Sequence, residues 1–432
     1  MGTANGTPGI GRRKHNRKRW SVLISNPSSD QTGILKKPSN SRPMSEPIEK
    51  TFSKWRIYLA LLIGVSISGG ILVYSFTRTE FHKVEKGTGS YAWEDFNQNK
   101  RIDYTDPGDF ALVPNGDFEK KSAYEVLSEV SWNSTTFFWL FLALLGMVGR
   151  DLGYMLRIRI LTKKQLSWRQ SFQVIMLWEF ASALAPGVMS GATVAMFILN
   201  REKIALGRAT AIVILTAFLD NLFYVVIIPL LFLLMPAGKL FPSAGNESMT
   251  VVFWTGFSVF ALLCIVLFSS IVLYPKLVYH LLTFITRIPF LKRFRPGAEK
   301  TGNDVKNTAA ELKKEPFSFW LKAFGTTVFS WSSRFLVINF IMQAFLNLGF
   351  FQQAQIFTKQ FVLWMFLRIS PTPGGSGVAE WAFGELLSEF STSVILLGTM
   401  AVLWRLISYF PYLIIGSVIL PRWLSKQRKN KD

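Results

Sequence analysis

The sequence predicts an all-α polytopic membrane protein with about six full transmembrane helices and two re-entrant hairpins in an inverted repeat. Half of the 432 residues are hydrophobic and 15% are aromatic. Several apolar runs reach the ~20 residues that cross a bilayer. The net charge of +21 comes from basic residues clustered beside these runs, which is typical of positive-inside anchoring. We therefore expect no nucleic-acid partner, although a soluble protein with this charge would suggest one.

Composition divides the chain into membrane and polar segments. In chain order they are a disordered basic cytoplasmic tail (1–54), a first transmembrane helix (55–77), an extracytoplasmic insert (78–133), membrane repeat 1 with a bridging helix (134–274), a basic cytoplasmic loop (275–318), membrane repeat 2 (319–421) and a basic cytoplasmic tail (422–432). No apolar run of signal-peptide length precedes Ile57. Charge asymmetry predicts a multi-pass membrane protein with both termini in the cytoplasm, where its basic tails would contact anionic lipid heads.

The motif Pro371–Gly377 interrupts the apolar sequence of the second repeat. Its prolines and glycines cannot continue a helix. Within hydrocarbon, broken backbone is tolerated only where protein buries it or where it lines a wet cavity. We therefore predict a re-entrant tip, with a new helix starting near Ser376. The free N–H groups and the positive dipole end of that helix would form an anion site.

A second re-entrant hairpin is predicted over 171–200. Basic residues flank both ends, so both ends are expected on the cytoplasmic side. Two full crossings need about 40 residues, and only about 30 are present. The tip would be Ala185–Gly191, which contains Pro186 and Gly187. The positive-inside pattern is consistent along the chain only if both hairpins are re-entrant.

The two hairpins resemble each other. The Leu-Trp-x-Phe motifs at Leu177–Phe180 and Leu363–Phe366 each precede a Ser-Gly pair at the same spacing. A span with a central arginine, Arg150 or Arg334, precedes each hairpin. Inverted repeats with broken helices are typical of transporters, whose substrate site lies at the repeat interface. The alternative is a chance match, because these residue types are common in membrane helices.

Ionisable residues within the predicted spans are costly to bury and are candidates for function. They are Arg150, Asp151, Glu179, Asp220, Arg334, Arg368, Glu380 and Arg405. Guanidinium groups bind phosphate in a planar, bidentate way, so Arg150 and Arg334 are predicted to hold a phosphate-bearing lipid head. The alternative for these two arginines is internal pairing.

Internal pairing is the favoured interpretation for Asp220 with Arg405, and a pair between Glu380 and Arg368 is a further alternative. Glu380, in the first turn after the tip, is predicted to cap the new helix rather than to take up a proton during transport.

The insert contains a possible calcium loop at 95–106. Its oxygen side chains follow the EF-hand ladder, in which the seventh position contributes a backbone carbonyl. The candidate ligands are Asp95, Asn97, Asn99, Arg101, Asp103 and Asp106. Lys100 replaces the glycine expected at the sixth position, and the alternative is a polar loop without metal. We expect no other cofactor, since the single cysteine, Cys264, and three scattered histidines exclude a Cys- or His-based metal site.

Three stretches resemble the lysylphosphatidylglycerol synthase transmembrane-region family: Ala183–Gly187, Arg208–Asp220 and Pro371–Glu380. The resemblance covers about 125–420 and implies a bacterial inner-membrane protein that handles lipids, as in the flippase half of enzymes that make and translocate aminoacylated phospholipids. It also assigns functional positions: Asp220, Pro373, Gly374, Gly375, Gly377 and Glu380. The chain departs from the full enzymes in one respect: we do not expect it to contain their soluble aminoacyl-transfer domain. It also has no charged residue in Ala185–Gly191.

The leading prediction is a transporter that flips a membrane phospholipid or a lipid-linked intermediate. The candidate substrate-binding residues are Arg150, Pro186, Gly187, Asp220, Arg334, Pro373, Gly374, Gly375, Ser376, Gly377 and Glu380. Since the sequence has no nucleotide-binding motif, an ion gradient or passive scrambling would drive the process. The alternatives are a membrane enzyme acting on a lipid head group, with Glu179, Asp220 and Glu380 as acid or base, and a non-catalytic scaffold. The sequence does not predict the oligomeric state.

Overall fold

The computed structural model describes residues 77–96, 98, 102–184, 188–234, 247–269, 274, 276–287, 295–370 and 372–429, with a few single positions before residue 77. The predicted N-terminal tail and most of the first predicted span lie outside the described residues, as do Pro186 and Gly187 of the first predicted tip.

The described part of the chain is mostly helical. Its helices are α1 (Ala123–Ser128), α2 (Ser134–Leu161), α3 (Trp168–Leu184), α4 (Val188–Arg201), α5 (Leu206–Leu234), α6 (Glu247–Phe268), α7 (Lys276–Ile285), α8 (Arg295–Lys313), α9 (Phe317–Phe345), α10 (Phe350–Ile369), α11 (Val378–Leu387), α12 (Val394–Ser408) and α13 (Phe410–Lys429). Among the described residues, three stretches are long and apolar enough to cross a membrane: α2, α5 and the α12–α13 stretch Val394–Lys426. The chain is therefore a helical membrane protein.

The insert contains a β-sheet as well as the short helix α1, so the all-α class predicted from the sequence is wrong for this segment. It forms a four-stranded antiparallel sheet in the order β1-β4-β2-β3. The strands are β1 (Thr79–Lys83), β2 (Gly89–Trp93), β3 (Phe110–Gly116) and β4 (Phe118–Ser122). The core of the sheet is a small aromatic cluster of Phe81, Phe110 and Phe118. Short strands with few apolar residues give a weak hydropathy signal, which the strong signals of the membrane helices mask.

The sheet is attached to the start of α12. The buried carboxylate of Glu80 accepts a hydrogen bond from the backbone N–H of Ile395, at 2.6 Å. Ser122 begins α1 and shares a capping box with Glu125. Hydrogen bonds from the Ser122 backbone and side chain lower the pKa of the Glu125 carboxyl below its ordinary value. Ala123 and Val126 of α1 pack on Ile395, so the sheet marks one end of the helical bundle, hereafter the sheet face.

Helices α2 and α9 form an antiparallel pair in close contact. A Cβ atom at Gly146 would lie 3.1 Å from Val337, and one at Gly153 would lie 2.7 Å from Ser330. Small residues let two membrane helices approach in this way. The Ser330 hydroxyl then donates to the backbone carbonyl of Arg150, at 2.8 Å. This contact joins α2, which carries Arg150, to α9, which carries Arg334, in the centre of the bundle.

Two helical hairpins pack around this pair. In hairpin 1 (α3–α4) the open ends lie together, because Gln170 donates to Glu202 at 2.8 Å. In hairpin 2 (α10–α11) the end of α11 lies beside the middle of α10, where the Lys359 ammonium donates to the Leu386 carbonyl at 3.0 Å and pairs with Glu389 at 3.1 Å. The ten residues of α11 extend about 15 Å, half the hydrocarbon thickness.

Candidate functional site

The tip of hairpin 2 requires glycine at two positions. Pro373–Gly375 form one 3-10 turn, in which Gly374 has φ +58° and Gly375 has φ +69°. Residues other than glycine rarely adopt this backbone conformation. A Cβ atom at Gly374 would also overlap the Tyr409 ring, and one at Gly375 would overlap Leu367. The glycines of the motif therefore allow both the turn and its close packing.

Arg405 of α12 holds this tip in place. It donates to the Gly374 carbonyl and to the Ser376 hydroxyl, both at 3.0 Å, and its Nε lies 3.1 Å from Glu380 Oε1. The other oxygen of Glu380 accepts from the Gly377 N–H at 2.7 Å, which confirms the predicted cap of α11. This N–H group of the predicted anion site therefore already has a protein partner.

Asp220 and Arg405 are each paired within the protein, as predicted, but not with each other. The alternative pair of Glu380 with Arg368 is also wrong, because Glu380 pairs with Arg405. Asp220 pairs with Arg157, with Nη1 2.5 Å from Oδ1, and accepts from Trp331 Nε1 at 2.8 Å. Arg368 instead donates to the Asn221 amide oxygen at 3.1 Å. Helix depth can be estimated from sequence, but which faces of two helices meet depends on packing. The seven-residue spacing from Arg150 places Arg157 on the same face of α2, a signal that the sequence analysis missed.

Arg150 is fully buried in a polar cluster. Its guanidinium lies 2.6 Å from Glu179 Oε1, 2.7 Å from Asp151 Oδ1 and 2.6 Å from the Tyr412 hydroxyl. Glu179 Oε2 also lies 3.6 Å from Arg334 Nη2. The carboxylate thus joins hairpin 1 to both arginines of the repeat. In this arrangement Arg150 contacts protein groups on all sides, whereas Arg334 remains partly exposed.

A cavity of about 340 Å³ opens where the two hairpins meet α5, α9, α12 and α13. Its charged lining residues are Glu179, Asp220, Arg334, Arg368 and Arg405. Of the predicted site residues, Asp220, Arg334, Gly374 and Gly375 line it. Arg150, Pro373, Ser376, Gly377 and Glu380 do not line it, although Arg150 and Glu380 pair with residues that do. The structure thus brings residues of both hairpins together around one polar cavity.

Two arginines present their charge to this cavity. Arg334 stacks on Trp364, with 4.5 Å from its Cζ to the ring centroid, and Arg368 lies over Tyr224 at 4.8 Å. Trp331 lies beside both, at 5.1 and 5.7 Å. Within the described part of the chain, Arg368 has no carboxylate partner within 4 Å. Aromatic faces therefore support two cations that retain capacity to bind an anion.

Tryptophans are the lining residues that sequence reasoning missed. Trp178 and Trp364, the tryptophans of the two Leu-Trp-x-Phe motifs, both line the cavity. Their identical position in the two motifs could have indicated that both tryptophans line the site. The two similar sequence motifs therefore each contribute an aromatic ring to the cavity.

The family model for the lysylphosphatidylglycerol synthase TM region matches residues 124–416. The chain belongs to this family. The matched range includes both hairpins and every charged residue of the cavity, and it leaves the sheet of the insert outside. The shared part of the family is therefore the part that builds the site.

A relative of this family member is a UPF0104 membrane protein of Archaeoglobus fulgidus. The two sequences are 24% identical over 320 residues, which cover 73% of this chain and 94% of the relative. No solved structure matches the chain.

The calcium loop of the insert stays a prediction. Asn97, Asn99 and Arg101 lie outside the described residues. Asp103 accepts from the backbone and hydroxyl of Thr105 at 3.0 and 2.8 Å, and Asp106 accepts from the Gly108 N–H at 2.9 Å. Among the described residues, including Asp95, no group of three or more His, Cys, Asp or Glu side chains is placed to hold a metal ion.

Proposed function

We propose that this family member transports a phospholipid or a lipid-linked intermediate across the membrane. A phosphate-bearing head group would occupy the cavity, and the acyl tails would stay in the bilayer. The observation that carries the proposal is the pair Arg334 and Arg368, which face a polar cavity inside a membrane bundle beside Trp331. Arginine is suited to phosphate because its planar donors match the phosphate oxygens.

The proposed topology has about six spans and two re-entrant hairpins, with opposite orientations in the two repeats. The short α11 and the contact between Gln170 and Glu202 support hairpins that return to the side from which they enter. Basic flanks at the ends away from the sheet face support cytoplasmic termini. In this topology the sheet lies on the extracytoplasmic side of a bacterial inner membrane.

Different arginines have different roles in this proposal. Arg334 and Arg368 contact the head group, and Asp220 orients Trp331 between them through the indole N–H. Arg405 holds the hairpin 2 tip through Gly374, and Arg150 acts through Glu179. Removing Arg150 would therefore disturb Arg334 indirectly.

Native mass spectrometry of the purified protein with its co-purified lipids tests the proposal. Arg368→Gln removes a cavity cation, and Arg422→Gln is the matched control, because Arg422 is an exposed arginine on α13. We expect wild type and control to retain one phosphate-bearing lipid class above its share in the membrane. Arg368→Gln should retain about tenfold less, since a charged hydrogen bond contributes about 1.5–3 kcal/mol.

The contrary result is bound lipid that mirrors the bulk membrane in all three proteins. If one lipid class is retained, that lipid is reconstituted in liposomes with each variant, and its movement between the two leaflets is measured. Transfer that depends on a soluble co-substrate and leaves a chemically altered head group would instead indicate a membrane enzyme.

A further inference from the structure

Glu179 lies between the two arginines that the internal repeat relates. Its Oε1 is 2.6 Å from Nη2 of the fully buried Arg150, and its Oε2 is 3.6 Å from Nη2 of Arg334, which lines the cavity. One carboxylate therefore serves two cations unequally. Its tighter contact is with the arginine that a ligand cannot reach.

The two arginines differ in their need for Glu179. Arg150 has a second carboxylate, Asp151, at 2.7 Å, and the Tyr412 hydroxyl bridges this pair with 2.6 Å to Arg150 and 2.8 Å to Asp151. Among the described residues, Glu179 is the only carboxylate within 4 Å of Arg334. Arg150 thus keeps a counter-ion without Glu179, whereas Arg334 does not.

We infer that Glu179 competes with the lipid phosphate for Arg334, and thereby lowers lipid affinity and promotes release. This inference rests on the proposed function. A phosphate at Arg334 would take the place of the longer, weaker contact, and Glu179 would then neutralise Arg150 alone. Two anions near one guanidinium repel each other strongly in a low-dielectric site. A transport pathway needs this balance, because a substrate that binds too tightly does not leave.

The substitution Glu179→Gln tests the competition, since it keeps the shape of the side chain and removes its charge. The probe is phosphatidylglycerol with six-carbon chains, titrated calorimetrically into the full chain in detergent. We expect about tenfold tighter binding, which corresponds to about 1.4 kcal/mol. In liposomes, the same variant should transfer labelled long-chain phosphatidylglycerol more slowly than wild type. A purely structural brace would instead give weaker binding.

Two further variants isolate the charge effect. Asp151→Asn removes a carboxylate that is as exposed as Glu179, 22% in each case, and that pairs with the same Arg150. It should not tighten binding, because its carboxylate does not compete at Arg334. In an Arg334→Gln background, Glu179→Gln should not restore binding of the probe, since the two substitutions act on one interaction.

The outcomes separate this inference from the proposed function. If wild type binds the probe and Arg334→Gln loses it, but Glu179→Gln does not bind more tightly, the competition is wrong and the head-group site stands. If wild type shows no saturable binding, or Arg334→Gln binds as well as wild type, the head-group site is wrong, and the competition with it. A second uncharged variant, Glu179→Met, repeats the test, and failure of both to fold would overturn the inference.

Discussion

Arg405 and Glu380 form a buried ion pair between α12 and the first turn of α11, with 3.1 Å from Nε to Oε1. Glu380 caps α11 through Gly377, and Arg405 binds the carbonyl of Gly374 on the other side of the turn. The pair thus joins both halves of the hairpin 2 tip to the helix that follows. Because both groups are buried, each depends on the other for neutralisation.

Arg405→Leu should destabilise the protein by about 3–5 kcal/mol, because it leaves the Glu380 carboxylate buried without a counter-ion. The double variant Arg405→Leu/Glu380→Gln should recover part of this loss, since glutamine can still accept from Gly377. Thermal unfolding in detergent, followed by tryptophan fluorescence, measures both. A double variant no more stable than the single one would show that the charge pair is not the source of the loss.

Gly374→Ala should distort the hairpin 2 tip, because the added Cβ meets the Tyr409 ring and the backbone is left-handed at φ +58°. We expect a loss of about 1–3 kcal/mol in stability and reduced lipid retention. Gly384→Ala is the control, since Gly384 lies within α11 with nothing within 4 Å of its Cβ direction. That substitution should be neutral or stabilising by about 0.5–1 kcal/mol. Equal effects of the two substitutions would contradict the packing described for the tip.

Gly153→Ala tests the contact between α2 and α9. Its Cβ would lie 2.7 Å from the Ser330 Cβ and 3.0 Å from the Ser330 Cα, so the helices must separate. We expect destabilisation of about 1–3 kcal/mol, measured by thermal unfolding. Gly325→Ala, on α9 with nothing within 4 Å, is the matched control and should not lower stability. A tolerated Gly153→Ala would mean that this crossing is not tightly packed.

Single cysteines can test whether the hairpins are re-entrant. In a Cys264→Ala background, an impermeant thiol reagent should label Gln352→Cys and Ser388→Cys from one side of the membrane. These positions lie at the start of α10 and just after α11, and both are exposed. Trp168→Cys and Ala205→Cys, which flank hairpin 1, should be labelled from the other side only. Labelling of the two members of a pair from opposite sides would indicate full spans instead.

Several features of the site could be predicted from the sequence because they depend on local residue order. The Pro/Gly motif predicted the broken backbone at 373–377, and the position of Glu380 predicted its cap, both of which the structure contains. The charge pairs could not be predicted, because Asp220 meets Arg157 only through the rotation of α5 against α2. The sheet was missed because Phe81, Phe110 and Phe118 build its core from short, separate strands.

By itself, the sequence determined that the chain is a helical membrane protein of this family and that the motif around Gly374 breaks the helical backbone. Apolar length, charge asymmetry and glycine positions are properties of consecutive residues, so no tertiary information is needed to detect them. Only the tertiary structure decided which arginine faces the cavity. Arg150 and Arg334 each lie on the helix before a Leu-Trp-x-Phe motif, yet Arg150 is buried against Asp151 and Tyr412 of α13, whereas Arg334 lines the cavity. The physical reason is that exposure depends on which neighbouring helix packs against each face, and those neighbours are far away in the sequence.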